Sequence, residues 1–173
     1  MTLDGNDQIL DPDLKCESPI LMDILQFWKG ACGDQSMPAR HDINLLDLPV
    51  YQQPHILLLD VEPKPRLRLR WRFIGTHITV VMNRNVAGLY ADEIYDQEQL
   101  AAFCLRTDWV LQHGLPLRSN ARSADLNSDV NEVIFLPLSD NGVDIDQILM
   151  AAVYRTEHES EAVPGSAEDE FGA

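Results

Sequence analysis

Arg66-Leu67-Arg68-Leu69-Arg70-Trp71-Arg72-Phe73 alternates charged and apolar side chains without a break. A period of two belongs to a β-strand, whose successive side chains point to opposite faces. The segment therefore reads as a strand with one apolar, aromatic face and one face carrying a ladder of four arginines. Pro63-Lys64-Pro65 precedes it and Gly75-Thr76 ends it. His55 to Glu62, built on Ile56-Leu57-Leu58-Leu59, reads as a second strand, and the short connection makes the two an antiparallel hairpin.

Downstream, residues 76–82 are apolar and β-branched and read as a short helix or turn. Asn83 to Gly88 is a polar loop, and Tyr90-Ala91-Asp92-Glu93 opens a second short turn. Asp96 is placed to cap a helix over 97–113 with Leu100, Phe103, Cys104, Val110 and Leu111 among its apolar positions; Gly114 and Pro116 stop it. Three strands follow, over about 115–123, 131–138 and 145–155, the last two joined through Ser139-Asp140-Asn141-Gly142. Upstream, Ser18-Pro19 starts an amphipathic helix over 19–31, in which Ile20, Leu21, Ile24, Leu25, Trp28 and Ala31 recur at steps of three and four. That stripe has to be covered, by the chain's own sheet or by the same helix of a second copy. Residues 34–54, with Pro38, Pro49 and Pro54, read as an extended connection. The sum is an α+β domain: a five-stranded antiparallel sheet with helices on one face, preceded by the amphipathic N-terminal helix.

The 173 residues suffice for one such core, and 45% of them are apolar. The 28 acids outnumber the 13 bases, a formal charge of −15 that argues against nucleic acid and anionic membrane surfaces. The acids gather at the ends. Asp4, Asp7, Asp11, Asp13 and Glu17 face only Lys15 within 1–18, read as a flexible acidic N-terminus. Glu157, Glu159, Glu161, Glu168, Asp169 and Glu170 meet no base within 157–173, read as a disordered tail. No apolar run approaches the roughly 20 residues of a spanning helix, and no secretory leader is visible. Cys16, Cys32 and Cys104 form no CxxC, which suits a reducing, cytoplasmic setting.

Four stretches carry a resemblance. They are Leu25-Gln26-Phe27-Trp28 with Met37-Pro38-Ala39-Arg40-His41-Asp42-Ile43 and Leu48-Pro49; Pro54 to Val61; Arg70-Trp71-Arg72-Phe73-Ile74-Gly75-Thr76 with Asn83-Arg84-Asn85-Val86-Ala87-Gly88; and Leu136-Pro137-Leu138-Ser139-Asp140-Asn141-Gly142. Spanning about 20–156 in order, they make the chain resemble short, stand-alone bacterial PAS-like proteins of the alphaproteobacterial type. It departs from that pattern at Asn44-Leu45, where Asp-Pro is usual, and in its acidic tail. The resemblance implies a PAS-like domain over 19–156 with its core at 55–156, acting as a sensory or regulatory module. Such modules bind a small ligand between sheet and helices, or dimerise and dock partner proteins. With no room for an output domain, the expected signal leaves through a partner or self-association.

On that frame Trp71, Phe73, Met82, Phe103, Cys104, Phe135 and Met150 are the candidate lining for a small apolar ligand. Ile20, Leu21, Ile24, Leu25 and Trp28 are the candidate homodimer seam. Arg66, Arg68, Arg70 and Arg72 suit an acidic partner, since guanidinium forks fit carboxylates, or else pair with cross-strand acids such as Glu132. The histidines, His41, His55, His77, His113 and His158, have no metal-ligand spacing, and only His77 falls near the place of a PAS cofactor. Asn83-Arg84-Asn85 lacks the cysteine of a flavin photosensor motif, so no haem, flavin or metal is indicated and the cofactor is unknown. GxSxG and glycine-rich phosphate loops are missing, and Asp92-Glu93 fits a capping turn, so no catalysis is expected. The alternatives are a ligand-independent interaction scaffold and a small α+β barrel enzyme.

Overall fold

The computed structural model describes residues 2–3, 8–63, 65–123 and 128–156. In chain order they form β1 (Thr2–Leu3), β2 (Gln8–Asp11), α1 (Pro19–Cys32), β3 (Ile56–Glu62), β4 (Arg68–Ile74), α2 (Thr76–Val81), α3 (Ala91–Ile94), α4 (Gln97–His113), β5 (Leu117–Ser123), β6 (Ser128–Leu138) and β7 (Gln147–Thr156). One sheet takes all the strands in the order β1-β2-β5-β6-β7-β3-β4, every neighbouring pair antiparallel. The hairpin that precedes the helices thus lies beside the last strand, β3 pairing with β7. The tail 157–173 lies outside the described residues.

Both faces of the sheet are covered. On the inner face Leu57, Leu59, Leu69, Trp71, Leu117, Phe135, Ile148 and Met150 pack beneath Ile78 of α2, Ala91 of α3, and Phe103 and Val110 of α4. On the outer face Ile56, Leu58, Ile134, Leu136, Leu138, Leu149 and Ala151 pack beneath α1 and beneath Met37, Ile43 and Leu48 of the connection. Helices on one face alone would have left this second apolar layer in water. On the last two strands Phe135, Ile148 and Met150 point inward, while Ile134, Leu136 and Leu149 point outward.

The covering of α1 overturns the homodimer seam. Leu21, Ile24, Leu25 and Trp28 are buried against the chain's own outer face, Ile20 packs at the margin, and the Trp28 indole donates to the Pro137 carbonyl at 3.1 Å. A single apolar stripe cannot serve two surfaces, so it offers no second copy a seam.

A second correction concerns Phe73. Leu58 pairs with Phe73 but Leu59 pairs with Trp71, so Arg72 is an extra residue and β4 bulges there. The bulge resets the alternation: Ile74 joins the inner core, and Phe73 turns outward, 43% exposed.

Part of the acidic N-terminus is paired into the sheet. β2 pairs with the edge of β5, and Asp11 then accepts the backbone N–H groups of Asp13 and Lys15 at 3.1 and 2.8 Å. Residues 9–15 are held by sheet pairing and by this side-chain cap. Gly75 is required just after β4, where the chain passes the turn at 53–55, because a Cβ there would land on the Pro54 carbonyl.

Candidate functional site

The inner site is organised by α4. Asp96 and Gln99 make a reciprocal cap at its start, Asp96 Oδ1 accepting the Gln99 N–H at 2.9 Å. Gly114, at φ +65°, ends it in the left-handed region. Between them Phe103, Arg106, Thr107 and Val110 recur at steps of three and four and are the buried face. Arg106 therefore lies on the stripe that meets the sheet, and it is only 9% exposed. Its Nε donates to Ser119 Oγ at 2.8 Å and its Nη1 to the Ala102 carbonyl at 2.7 Å. Both acceptors are neutral, and among the described residues no carboxylate ion-pairs with it. Burial pulls the guanidinium below the ordinary arginine value, opposed by Tyr154 and Tyr95.

A cluster of aromatic rings forms on Phe103, three residues before Arg106 on the same face of α4. Phe103 stands 5.4 Å from Trp71, 5.4 Å from Tyr95 and 6.4 Å from Phe135, centroid to centroid. Burial pushes the Tyr154 phenol up to about 12 and the Tyr95 phenol higher still, so both hydroxyls keep their protons at neutral pH. The Trp71 indole N–H is fully buried and has no hydrogen-bond partner among the described residues. His77 of α2 closes one side, its ring 6.0 Å from Tyr154 and 4.3 Å from His55, and its Nε2 accepts the Tyr154 backbone N–H at 3.4 Å.

Of the residues expected to line this layer, Trp71, Phe103, Phe135 and Met150 do come together, with Met82 packed against them. Phe73 does not, for the reason given by the bulge. Cys104 sits on the flank of α4, half-buried, outside the inner cluster. Burial raises its thiol pKa, as it does for Cys32; Cys16, desolvated and beside Glu132, is pushed up to about 11. Missed in the sequence were Arg106, Ser119, Tyr95 and Tyr154. The signal for Arg106 was there: three residues after Phe103 and four before Val110, it occupies a core position of α4.

The arginine ladder has its counter-charges within the chain. Asp60, with its side chain only 8% exposed, accepts Arg70 Nη2 at 3.1 Å, Arg72 Nε at 2.6 Å and Gln147 Nε2 at 2.7 Å. Arg70 Nε also faces Glu62 at 3.1 Å, at an angle that makes an ion pair without a hydrogen bond. Arg68 holds Asp92 at 2.6 Å and lies over the Tyr90 ring, and Arg66 reaches the same carboxylate at 3.4 Å. The hydrogen bond from Arg68 keeps the Asp92 carboxyl below its usual value. These acids, and not Glu132, answer the ladder. An open cleft of about 320 Å³ lies over Asp60, lined by Arg40, Arg70 and Arg72 and by Glu62, Asp140 and Asp146. It carries both signs and is not a positive patch.

Glu132 is engaged elsewhere. Its carboxylate, 7% exposed, takes Arg118 Nε at 2.7 Å and the backbone N–H groups of Glu17 and Ser18 at 2.8 Å each, where α1 begins. Arg118, 6% exposed, lies 3.5 Å from both Asp11 and Glu17. A buried ion pair on β5 and β6 thus fastens the start of α1 to the sheet.

A sheet of this order, with its helices inserted between the first hairpin and the last three strands, defines an α+β fold class. A family profile described as PAS domain matches residues 16–152, and the chain belongs to that family. No curated protein matches it. Among solved structures, the chain is similar to an RNA-binding Light-Oxygen-Voltage receptor, at 13% identity and a TM-score of 0.45. The match takes in 90% of this chain and 40% of that one. No helix among the described residues is long and apolar enough to cross a membrane.

Proposed function

We propose that this PAS domain works in bacterial signalling as a non-catalytic sensory module, holding a small ligand between α2–α4 and the inner face of the sheet. One observation carries the reading: a buried guanidinium, Arg106, with neutral acceptors only, on the same face of α4 as Phe103 and near Tyr95 and Tyr154. An apolar layer built only for stability has no use for a buried charge, because burying it costs free energy that an aliphatic side chain would not. A site that selects a ligand does have that use.

The covering elements suit entry and exit. α2 has six residues and α3 four, and these two helices and the loop 83–88 between them are each pinned to the inner core by one residue, Ile78, Ala91 and Val86. A ligand that binds the closed arrangement more tightly than the open one shifts the balance by that difference in affinity, and the surface of α2 and α3 changes with it. Supporting the docking of a partner protein is the open, two-signed cleft floored by Asp60.

Native mass spectrometry of freshly purified protein, beside a denatured control, tests the ligand reading. A non-covalent adduct that disappears on denaturation is the expected result. A bare native mass, unchanged by cell extract in the small-molecule range, overturns it in favour of a ligand-independent scaffold.

A further inference from the structure

The arginine ladder suits an acidic partner when read from the sequence, but the cleft beside it has the opposite need once its own pairs are counted. Arg70 and Arg72 are answered within the wall by Asp60, and Arg70 also by Glu62, so two guanidiniums meet two carboxylates there. Asp60 is filled by three donors, and Glu62 takes the Tyr90 hydroxyl at 2.9 Å as well. The charges that remain in the lining are Arg40 against Asp140 and Asp146, the two acids coming from the turn between β6 and β7. Arg40 gives Nη1 to the Ile43 carbonyl. Asp140 holds the Arg40 backbone N–H at 3.2 Å, and Asp146 holds that of Asp140 at 2.9 Å. Among the described residues the ion pairs of the cleft's arginines go to Asp60 and Glu62 alone, which leaves one negative charge in excess.

The hydrogen bonds point the same way by a separate route. Asp146 Oδ1 and Gln147 Oε1, from neighbouring residues that both line the cleft, are buried and have no partner among the described residues. Both are acceptors, and a buried acceptor without a donor costs free energy. The last torsion of a carboxylate is soft, so Asp146 can turn its oxygen to a donor held in the cleft.

Such a cleft takes a cation that donates. Among the described residues no three His, Cys, Asp or Glu side chains are grouped to hold a metal ion, so the donor is an N–H cation. The acceptors are spread over Asp140, Asp146 and Gln147, which suits the planar fork of a guanidinium better than the point charge of an ammonium. Pockets for small molecules bury most of the ligand, whereas this cleft is open and suits a side chain held by the rest of its own protein. Exposed apolar side chains lie beside the lining residues in sequence: Val143, in the turn of Asp140 and Asp146, and Phe73, next to Arg72. The net charge of −15 draws a basic partner to this molecule.

We propose that this cleft docks an arginine side chain from a basic segment of a partner protein, its guanidinium held by Asp140 and Asp146. This rests on the partner-docking reading above and reverses the sign that the ladder suggested.

The probes are the capped pentapeptide Ala-Ala-Arg-Ala-Ala and its versions with citrulline or glutamate in place of arginine. Each is titrated at low salt into the full chain labelled with nitrogen-15, and the readouts are the backbone N–H of Asp140 and the side-chain amide of Gln147. The arginine peptide is expected to shift both to saturation and to bind at least ten-fold tighter than the citrulline peptide, which keeps the shape and loses the charge. In Asp140→Asn with Asp146→Asn, followed by the Gln147 amide, that preference is expected to vanish. Asp144→Asn, in the same turn but outside the cleft lining, is expected to keep it. Should the double variant fail to fold, Asp140→Asn alone is expected to weaken the arginine peptide several-fold and leave the citrulline peptide unchanged. Equal binding of the two peptides, a preference that survives loss of the cleft carboxylates, or one lost equally in Asp144→Asn overturns the proposal. Tighter binding of the glutamate peptide overturns it too, restoring an acidic partner and leaving the docking reading in place. If no peptide moves either resonance, the docking reading falls with the proposal.

Discussion

The two faces of the sheet treat arginine in opposite ways. On the outer face Arg118 is as deeply buried as any cation among the described residues, yet it has Glu132 at 2.7 Å and two further carboxylates at 3.5 Å. Arg70 and Arg72, near the rim of that face, share Asp60. On the inner face Arg106 is buried to a similar degree with a hydroxyl and a backbone carbonyl for company. Burial alone therefore does not tell a structural charge from a functional one; the partner does. A guanidinium closed by a carboxylate of its own chain holds the fold together. One closed by neutral acceptors is still able to attract an anion.

The largest effect that would sharpen this contrast is removal of Glu132. Glu132→Ala leaves Arg118 buried against two more distant acids and strips the start of α1 of its acceptor, and the expected loss is about 3–5 kcal/mol of folding free energy in urea. A loss under about 1 kcal/mol would mean that Asp11 and Glu17 absorb the charge, and the outer pair would no longer stand as the structural member of the comparison.

A smaller effect is expected at high pH, from the inner face. The Tyr154 phenol is raised from 10.0 to about 12 by burial, so the folded chain holds its proton after the unfolded chain has released it. That contribution is complete below pH 10 and is lost as pH rises through about 12, up to about 3 kcal/mol in all. Melting temperature followed from pH 9 to 12, together with tyrosinate absorbance, should show this fall, reduced in Tyr154→Phe. A chain whose tyrosines all ionise near pH 10 before any unfolding would show that water reaches the inner layer.

The smallest effect bears directly on the comparison. Arg106→Met, without added ligand, is expected to change stability by less than about 1 kcal/mol or to raise it, since an apolar side chain replaces a desolvated charge. If the loss exceeds about 2 kcal/mol, Arg106 is as structural as Arg118 and the two faces do not differ in kind.

Much of the fold could be read from the chain. The alternation of 66–71 placed the hairpin, and Asp96 with Gly114 marked both ends of α4. What the alternation could not carry was the bulge at Arg72. A period of two predicts Phe73 inside, but keeping both Arg70 and Arg72 on the side of Asp60 displaces it. The destination of α1 had a signal that a stripe of one helix cannot give. Ile56-Leu57-Leu58-Leu59 and Ile134-Phe135-Leu136 are unbroken apolar runs, and a strand apolar on both sides is buried on both sides. For the inner site, composition pointed to aromatic residues, and the polar ones escaped because Arg106, Ser119 and Tyr154 come from three elements far apart in sequence.

The pairing of β2 with β5 has a consequence for how the domain is handled. Every open sheet has two edges, and each exposes unpaired N–H and C=O groups that can recruit another chain. Here β4 is closed off by backbone bonds between Trp71 and the Gly88–Leu89 turn, while β5 is closed off by residues 8–11. Residues 8–11 thus move the open edge of the sheet away from β5. A version trimmed to the family boundary at residue 16 would leave the β5 edge unpaired, and light scattering beside the full chain is expected to show more self-association.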